Sequence, residues 1–134
     1  MIDHFSLPVS DLQRSKPFYV AVLGALGYLS LRADVFDGYA AFGFGDDPDG
    51  EPPFWIGGPT AEGVPGPQIS FGQHIAFTAR SRDLVDAFHA AGLAAGGADN
   101  GPPGLRPQYH QDYYAAFLLD PDGHHIEAVC HRPA

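Results

Sequence analysis

Three side chains with metal-binding chemistry, His4, His74 and Glu127, fall in segments that alternate like half-buried strands. Their apolar neighbours are expected to point towards a covering helix, which leaves the two histidines and the glutamate on the opposite face. A carboxylate within the apolar run HIEAVC is costly unless it is paired or bound to a cation. Two imidazoles and one carboxylate, with other positions open, suit a divalent metal such as non-haem iron or manganese. A hydrogen-bonded core role for each residue is the alternative, because their spacing forms no local motif.

An internal repeat accounts for the two histidine-containing segments. At a shift of 70 positions DHFSLPV aligns with QHIAFTA, and the two histidines coincide. Further along, YAAFGFGDDPDG (residues 39–50) aligns with YAAFLLDPDG (residues 114–123) once a difference in loop length is allowed for. Aligning the last strands on Ile56 and Ile126 places Gly57 against Glu127. We interpret the chain as two copies of one supersecondary unit.

Each copy has the pattern of a strand, a helix and three more strands, at about residues 1–60 and 72–134 of a single domain. The first helix is expected to begin near Ser15, because a start at the possible cap Ser10 would place Pro17 in the helix interior, where proline removes a hydrogen bond and clashes. A DPDG turn joins the last two strands of each copy. The predicted fold class is therefore α+β, built from two βαβββ units.

Composition limits the classes of partner. The chain has 134 residues, 45% of them hydrophobic, which is enough for one domain with its own core. Sixteen Asp and Glu against seven Lys and Arg give a net charge of -9, which disfavours nucleic acid and anionic lipid surfaces and suits a cationic small molecule. Without a long apolar run or a secretory signal pattern, the sequence predicts a cytoplasmic protein that does not enter the membrane. The single cysteine, Cys130, excludes an internal disulfide.

Three stretches, DHFSLPVSDLQRS, GQHIAF and YYAAFLLDPDGHHIEAVCH, resemble the glyoxalase, bleomycin-resistance and extradiol dioxygenase superfamily, also called the vicinal oxygen chelate superfamily. The resemblance covers essentially the whole chain. It implies that the two units contribute curved sheets around a cup-shaped cavity that holds a divalent metal, Fe, Mn, Ni or Zn. It also implies that His4, His74 and Glu127 occupy the metal positions. It does not imply one activity, because the same scaffold carries different reactions.

The chain departs from the pattern of glyoxalase I enzymes at one position. Those enzymes add a fourth ligand, a glutamate on the last strand of the first unit, where the repeat alignment here places Gly57. Neither Gly57 nor its neighbour Trp55 can bind a metal through its side chain, and the nearest acid, Glu51, is expected in the preceding turn. The remaining ligand set resembles that of extradiol dioxygenases, which disfavours a glyoxalase I reaction.

Side chains around the expected metal are candidates for handling a substrate. The loop at residues 98–114 is expected to form an ordered cover over the mouth of the cavity. Strand parity and this loop together predict five substrate-binding residues, namely Tyr39, Trp55, Arg106, Tyr109 and His125. His110, as a proton shuttle, and Tyr114, on the face of Glu127, are the candidate catalytic residues. Surface positions for His110 and Arg106 and plain packing for the aromatic residues are the alternatives.

The leading hypothesis is a metal-dependent enzyme in which the metal acts as a Lewis acid on vicinal oxygens of a small-molecule substrate, in a lyase, isomerase or dioxygenase reaction. The alternative is a non-enzymatic resistance protein that binds a cationic, bleomycin-like antibiotic, for which acidity and aromatic residues are suited. Relatives pair their two units within one chain or across a dimer, so either arrangement could complete the site. The resemblance favours a homodimer.

Overall fold

The structure is a computed structural model that describes residues 1–69 and 72–134. The elements of the first unit are β1 (Phe5–Pro8), α1 (Leu12–Ala25), β2 (Leu29–Phe36), β3 (Tyr39–Gly45) and β4 (Phe54–Pro59). Those of the second unit are β5 (His74–Thr78), α2 (Arg82–Ala94), β6 (Ala98–Leu105), β7 (Tyr114–Leu119) and β8 (His125–Cys130). The predicted α+β fold of two βαβββ units is confirmed.

Each unit forms one curved, open four-stranded sheet. The strand orders are β1-β4-β3-β2 and β5-β8-β7-β6. In both sheets the first strand pairs in parallel with the last, and the remaining pairs are antiparallel. A parallel pair needs a crossover connection, which the helix begins in each unit. The edge strands are therefore β1 and β2 in one sheet and β5 and β6 in the other.

The helices α1 and α2 pack against each other and against the sheets. One hydrophobic core contains buried residues of both units, including Phe18 and Val22 of α1 and Phe88 of α2. Helix α2 packs closely at Gly92, where an added Cβ would overlap Leu118 of β7 and lie 3.2 Å from Cγ1 of Val22 on α1. The helix-covered faces of the two sheets thus share one core, and the opposite faces are available for polar chemistry. Within the described parts of the chain, neither helix has the length and apolar character needed to cross a membrane.

Buried and partly buried hydrogen bonds also join the two units. The Tyr19 hydroxyl of α1 donates to Oδ2 of Asp120 at 2.6 Å. The backbone N–H of Ser10 donates to Oδ2 of Asp122 at 3.1 Å, and the Ser10 hydroxyl donates to the same carboxylate. Nε2 of His124 lies 2.7 Å from the carbonyl oxygen of Pro8. The DPDG turn of the second unit is therefore fixed to the start of the first unit.

Two expected elements differ from the structure. Helix α1 begins at Leu12 with Asp11 as its N-cap, so Pro17 lies inside the helix and the expected start near Ser15 is wrong. The Asp11 carboxylate accepts hydrogen bonds from the next backbone N–H groups, which satisfies the helix start one turn earlier than expected. Residues 98–105 form strand β6 and not part of a covering loop, with register shifts around Gly101. An edge strand tolerates proline and bulges, which explains how a GPPG segment pairs with β7.

Matching hydrogen bonds show which residues of the two units are equivalent. Val9 N–H donates to the carbonyl oxygen of Gly57 at 2.9 Å, and Ala79 N–H donates to that of Val129 at 2.8 Å. Val9 and Ala79 are equivalent at the shift that superimposes the two histidine segments. Gly57 is therefore equivalent to Val129.

The residue equivalent to Glu127 is Trp55. Trp55 lies opposite Ser6 and Gly43 in its sheet, as Glu127 lies opposite Ala76 and Phe117 in the other. The expected alignment of Gly57 with Glu127 is wrong by two positions. An indole thus occupies the place in the first unit that the carboxylate has in the second.

The tyrosines of the YAAF repeats are also displaced relative to each other. Tyr39 lies four residues before Gly43, and Tyr113 lies four residues before Phe117, so Tyr39 and Tyr113 are equivalent. The alignment of Tyr39 with Tyr114 is wrong by one position. Because side chains alternate along a strand, this single step moves Tyr114 to the helix-covered face.

Candidate functional site

Glu127 lies in the middle of β8 with only 1% of its surface exposed. Its neighbours Ile126 and Ala128 belong to the helix-side core, so the carboxylate points to the opposite face, as predicted. Oε1 accepts a hydrogen bond from the Tyr113 hydroxyl at 2.5 Å. Oε2 lies 3.4 Å from Nε2 of His74. Strand parity on β5 and β8 thus brings two of the three expected metal ligands together.

A cavity of about 510 Å³ opens in front of Glu127 and His74. Aromatic and imidazole side chains make up most of the remaining wall, namely Tyr109, Tyr113, Phe117 and His125. Nδ1 of His125 is 3.2 Å from the side-chain nitrogen of Asn100, which orients the ring. We call this space the glutamate cavity. It combines a buried acid, two imidazoles and apolar ring surface, the composition of a small-molecule site.

Tyr113 was not among the predicted site residues. Burial raises the pKa of its phenol to about 12, and the hydrogen bond to Glu127 and the charge of that carboxylate act in the same direction. The phenol therefore stays protonated at neutral pH and keeps donating to Oε1. The sequence pattern selected its neighbour Tyr114 in the YY pair instead. The register of the hairpin between β7 and β8 would have identified Tyr113 as the tyrosine on the face of Glu127.

His4 lies in a different cavity, of about 440 Å³, in the first unit. Nδ1 of His4 is 2.6 Å from a carboxylate oxygen of Asp3, and both side chains are largely exposed. In the described part of the chain, His4, His74 and Glu127 do not form a three-residue metal-binding cluster. The three ligand atoms that lie within 4.8 Å of one another there belong to other residues. A single chain therefore presents His4 apart from His74 and Glu127.

Trp55 and Tyr39 line the cavity of His4, which we call the tryptophan cavity. The indole Nε1 of Trp55 donates to the carbonyl oxygen of Pro52 at 2.9 Å, which fixes the ring. The Arg32 guanidinium lies over that ring at 4.8 Å and pairs with Glu51 at 2.8 Å. Strand parity correctly placed both Tyr39 and Trp55 on this face. Their role in substrate binding stays a prediction.

The phenol of Tyr39, which lines the tryptophan cavity, lies against Gly57. A Cβ built on Gly57 would overlap the phenol oxygen of Tyr39. Glycine at this position therefore leaves room for the phenol, and no side chain at 57 projects into the cavity. Trp55, at the position equivalent to Glu127, likewise offers no metal ligand.

The expected placement of Tyr114 beside Glu127 is wrong. Its hydroxyl donates to Oδ1 of Asp86 on α2 at 2.8 Å, and the Arg82 guanidinium lies 5.3 Å from its ring. Tyr114 therefore attaches β7 to the helix. This contact leaves the phenol on the face away from the glutamate cavity.

The loop between β6 and β7 carries the other predicted residues. Tyr109 lines the glutamate cavity, whereas Arg106 lies at its edge, 5.4 Å from the ring of Phe117 and hydrogen-bonded to the carbonyl oxygen of Pro102 at 2.6 Å. His110 is exposed, with its ring 6.0 Å from that of His131. The structure thus places Tyr109 in the cavity wall, Arg106 beside it and His110 on the outer side of the loop.

A second group with metal-binding chemistry lies in the DPDG turn. Asp120, Asp122 and His124 each offer one ligand atom, and these atoms lie within 4.8 Å of one another. Hydrogen bonds already engage each of these side chains, from Tyr19 and Ser10 and with the carbonyl oxygen of Pro8. The group accounts for the attachment of the turn to the first unit without any ion.

Comparison with known proteins places this fold in a family. A model of the Glyoxalase/Bleomycin resistance protein/Dioxygenase superfamily matches residues 1–128. A glyoxalase/bleomycin resistance protein from Albidiferax ferrireducens T118 is 36% identical, with a TM-score of 0.71 over 98% of each chain. A glyoxylase/bleomycin resistance protein/dioxygenase domain from Frankia sp. EAN1pec is 20% identical, with a TM-score of 0.72 over 98% of each chain. A mutant glyoxalase I from Zea mays is 23% identical, with a TM-score of 0.69 over 96% of this chain and 46% of that one. The comparison with curated proteins gave no match.

The fold of paired βαβββ units, with a carboxylate and imidazoles on the open sheet faces, agrees with this family match. The chain belongs to the Glyoxalase/Bleomycin resistance protein/Dioxygenase superfamily, as the resemblance of its sequence implied. The likenesses to the Frankia and Zea mays proteins, at their lower identity, show the fold alone.

Proposed function

We propose that the chain is a divalent-metal-dependent enzyme that acts on a small molecule with two adjacent oxygen atoms. Its metal centre combines His74 and Glu127 of one copy with His4 of a second copy in a homodimer. The observation that carries this proposal is the division of one ligand set between two open cavities of the same chain. Each cavity is an incomplete half of a site, and a two-fold pair of chains would complete two sites at once.

The residues of the glutamate cavity fit a divalent metal. The Glu127 carboxylate is buried at the wall of the cavity, and its Oε2 lies 3.4 Å from the imidazole nitrogen Nε2 of His74. A buried carboxylate normally has its oxygens satisfied by donors or by a cation. His4, His74 and Glu127 would hold the ion, and Fe, Mn, Ni and Zn all accept such nitrogen and oxygen ligands. When bound, the ion would act as a Lewis acid on substrate oxygens.

The remaining side chains suit substrate handling. Trp55 and Tyr39 offer ring surface from one copy, and Tyr109 offers it from the other. His125, which lines the same cavity as Glu127, would contact the substrate and could exchange a proton with one of its oxygens. Arg106 could hold a carboxylate or enolate oxygen at the edge of the cavity. His110, on the exposed side of the same loop, remains a candidate proton shuttle.

The lack of a carboxylate at Trp55 and Gly57 bears on the reaction. The fourth ligand expected of a glyoxalase I has no counterpart at either position, so lyase chemistry of that type is disfavoured. An isomerase or dioxygenase reaction with three protein ligands fits the side chains better.

A second candidate function rests on the charge of the tryptophan cavity. Asp3, Asp34 and Glu51 line it together with Trp55 and Tyr39, and Arg32 is the basic residue among them. Acidic and aromatic walls favour a cationic ligand. Such a chain would bind a cationic, bleomycin-like antibiotic without reaction. Stabilisation by bleomycin in a thermal shift assay, undiminished in Glu127→Gln, supports this function, and indifference to bleomycin contradicts it.

Metal titration tests the enzyme proposal. Purified protein is expected to bind about one Mn²⁺, Fe²⁺, Ni²⁺ or Zn²⁺ per chain, because each dimer would contain two centres. Glu127→Gln should abolish this uptake, whereas Glu62→Gln, which removes an exposed glutamate outside both cavities, should preserve it. The proposal fails if no metal binds at stoichiometric level or if Glu127→Gln binds as wild type does.

Mixed dimers test whether the site is shared. His4→Ala and Glu127→Gln each remove one ligand, and neither variant alone should bind metal. In a heterodimer of the two, one centre carries both substitutions and the other carries neither. Random pairing should therefore restore about a quarter of the wild-type metal uptake. No restoration in a verified heterodimer would show that the site does not span two copies.

A further inference from the structure

The two oxygens of the Glu127 carboxylate have different partners. Oε1 accepts the hydrogen bond of the Tyr113 phenol, and Oε2 faces His74. We propose that Tyr113 positions Glu127 by occupying Oε1, so that Oε2 is the single atom through which Glu127 binds a divalent metal. This inference rests on the proposed function of the same cavity. It assigns a role to a residue that lies in no predicted ligand set.

The position of Tyr113 is fixed from several sides. Arg106 N–H donates to the carbonyl oxygen of Tyr113 at 2.7 Å, which closes the loop before β7. The Tyr113 ring makes edge contacts with the rings of Tyr109 at 5.2 Å and His131 at 5.0 Å. The phenol is thus pre-organised to donate to Glu127. A swing away from the carboxylate would disrupt both ring contacts.

Occupation of Oε1 limits how the carboxylate can bind an ion. A bidentate carboxylate uses both oxygens, and Oε1 would then share its lone pairs between the phenol and the ion. Hydrogen bonds to a charged carboxylate are among the stronger ones, and Glu127 is shielded from water. The phenol therefore favours a monodentate ligand. Partners of this kind, which orient a ligand without touching the metal, commonly affect metal affinity tenfold to a hundredfold, roughly.

The first unit shows that the tyrosine itself is not enough. Tyr39 is equivalent to Tyr113, but the residue equivalent to Glu127 is Trp55, and the Tyr39 phenol lies over Gly57. Only the second unit therefore combines a phenol with a carboxylate, since the equivalent positions of the first unit hold Tyr39 and Trp55. The helix-bound Tyr114 provides the matched control for removal of one phenol oxygen, since its hydroxyl bonds Asp86.

Cobalt substitution tests the proposal in the full-length protein. Co²⁺ is titrated into wild type, Tyr113→Phe and Tyr114→Phe, and both affinity and visible absorption are recorded. Tyr113→Phe frees Oε1, so we expect bidentate binding, a higher coordination number and a weaker visible absorption per bound Co²⁺. Its affinity should change by about tenfold or more. Tyr114→Phe should match wild type in both readouts, since its phenol bonds Asp86 on the other face.

The outcomes separate this inference from the proposed function. If wild type binds Co²⁺ and Tyr113→Phe has the same spectrum and affinity, the positioning role is refuted while the metal site stands. If wild type binds no Co²⁺ or other divalent metal, both are refuted. If Tyr114→Phe changes the spectrum as much as Tyr113→Phe does, a general effect on the fold explains the data and the positioning role is refuted.

An infrared measurement on wild type covers the case in which Tyr113→Phe does not fold. The chain has three glutamates, so ¹³C-glutamate labelling isolates few carboxylate bands in a metal-minus-apo difference spectrum. A wide separation between the asymmetric and symmetric carboxylate stretches indicates monodentate binding and supports the proposal. A narrow separation indicates bidentate binding and overturns it.

Discussion

The phenol oxygen of Tyr39 fills the space into which a side chain on Gly57 would extend. Gly57 and Gly58 are adjacent on β4 and point to opposite faces of the sheet. The obstacle at Gly57 is the end of a half-exposed side chain, whereas a Cβ on Gly58 would overlap the backbone carbonyl oxygen of Val9. The two glycines therefore have different tolerance for the same substitution.

Gly57→Ala is expected to cost less than about 1 kcal/mol of unfolding free energy, because Tyr39 can turn outwards. Gly58→Ala is expected to cost more than about 2 kcal/mol, because the backbone at Val9, directly after β1, must move. Urea unfolding of both variants checks the order. A larger loss for Gly57→Ala would contradict the placement of Tyr39.

The buried bond between Tyr19 and Asp120 predicts a cost for removing one hydroxyl. Tyr19→Phe leaves Oδ2 of a largely buried carboxylate without its phenol donor, and should lower the free energy of unfolding by about 1–3 kcal/mol. Tyr28→Phe is the matched control, since its hydroxyl also joins the two units, by donating to the carbonyl oxygen of Thr78, but at an exposed position. Equal losses in urea unfolding would show that burial of the Tyr19 bond is unimportant.

The same carboxylate predicts a dependence of stability on pH. Burial raises the pKa of Asp120 above its ordinary value of 3.8, although hydrogen bonds from Tyr19 and backbone N–H groups oppose the shift. A raised folded-state pKa contributes stability that is fully present below the unfolded pKa and is lost as the pH rises through the folded pKa. Asp120→Asn does not titrate. As the pH rises above the ordinary value of 3.8, the unfolding free energy of Asp120→Asn should therefore increase relative to that of wild type. A gap that moves in the opposite direction would contradict the raised pKa.

The surroundings of two helical glycines predict opposite effects of the same substitution. Gly92→Ala places a Cβ against Leu118, which is fully buried, and 3.2 Å from Cγ1 of Val22. Overpacking of about 1–3 kcal/mol should outweigh the gain in helix propensity of up to about 1 kcal/mol. Gly24→Ala on α1 meets no atom within 4 Å and should stabilise the protein slightly. Thermal unfolding should show a lower melting temperature than wild type for Gly92→Ala and a slightly higher one for Gly24→Ala.

Alternation of side chains was sufficient to predict the face of Glu127, because a strand has only two faces and the apolar neighbours define one of them. The order of elements followed from the repeat in the same way. Register between strands was not predictable to the last residue, because loop lengths differ between the units. Because both units contain the sequence YAAF, the alignment paired Tyr39 with Tyr114. The strand register aligns Tyr39 with Tyr113, one residue earlier.

Amino-acid composition also led to a wrong prediction for residues 98–105, which form strand β6. The run GPPGL was expected in a covering loop, since Pro and Gly are typical of loops. At the edge of a sheet, however, one side of the strand has no pairing to lose. Whether a segment is an edge strand depends on the tertiary order of strands, which the local sequence does not contain.

The helices α1 and α2 lie back to back, and a single continuous core supports both open sheet faces. In a dimer of the proposed kind, every chain would take part in both reaction centres and would connect them through its own interior. A substitution in the core of one chain would then impair both metal centres of the dimer. A substitution of one metal ligand in that chain would impair only the centre to which the ligand belongs. Selection on the hidden residues of this helix pair should accordingly be at least as strict as selection on the residues that meet the substrate.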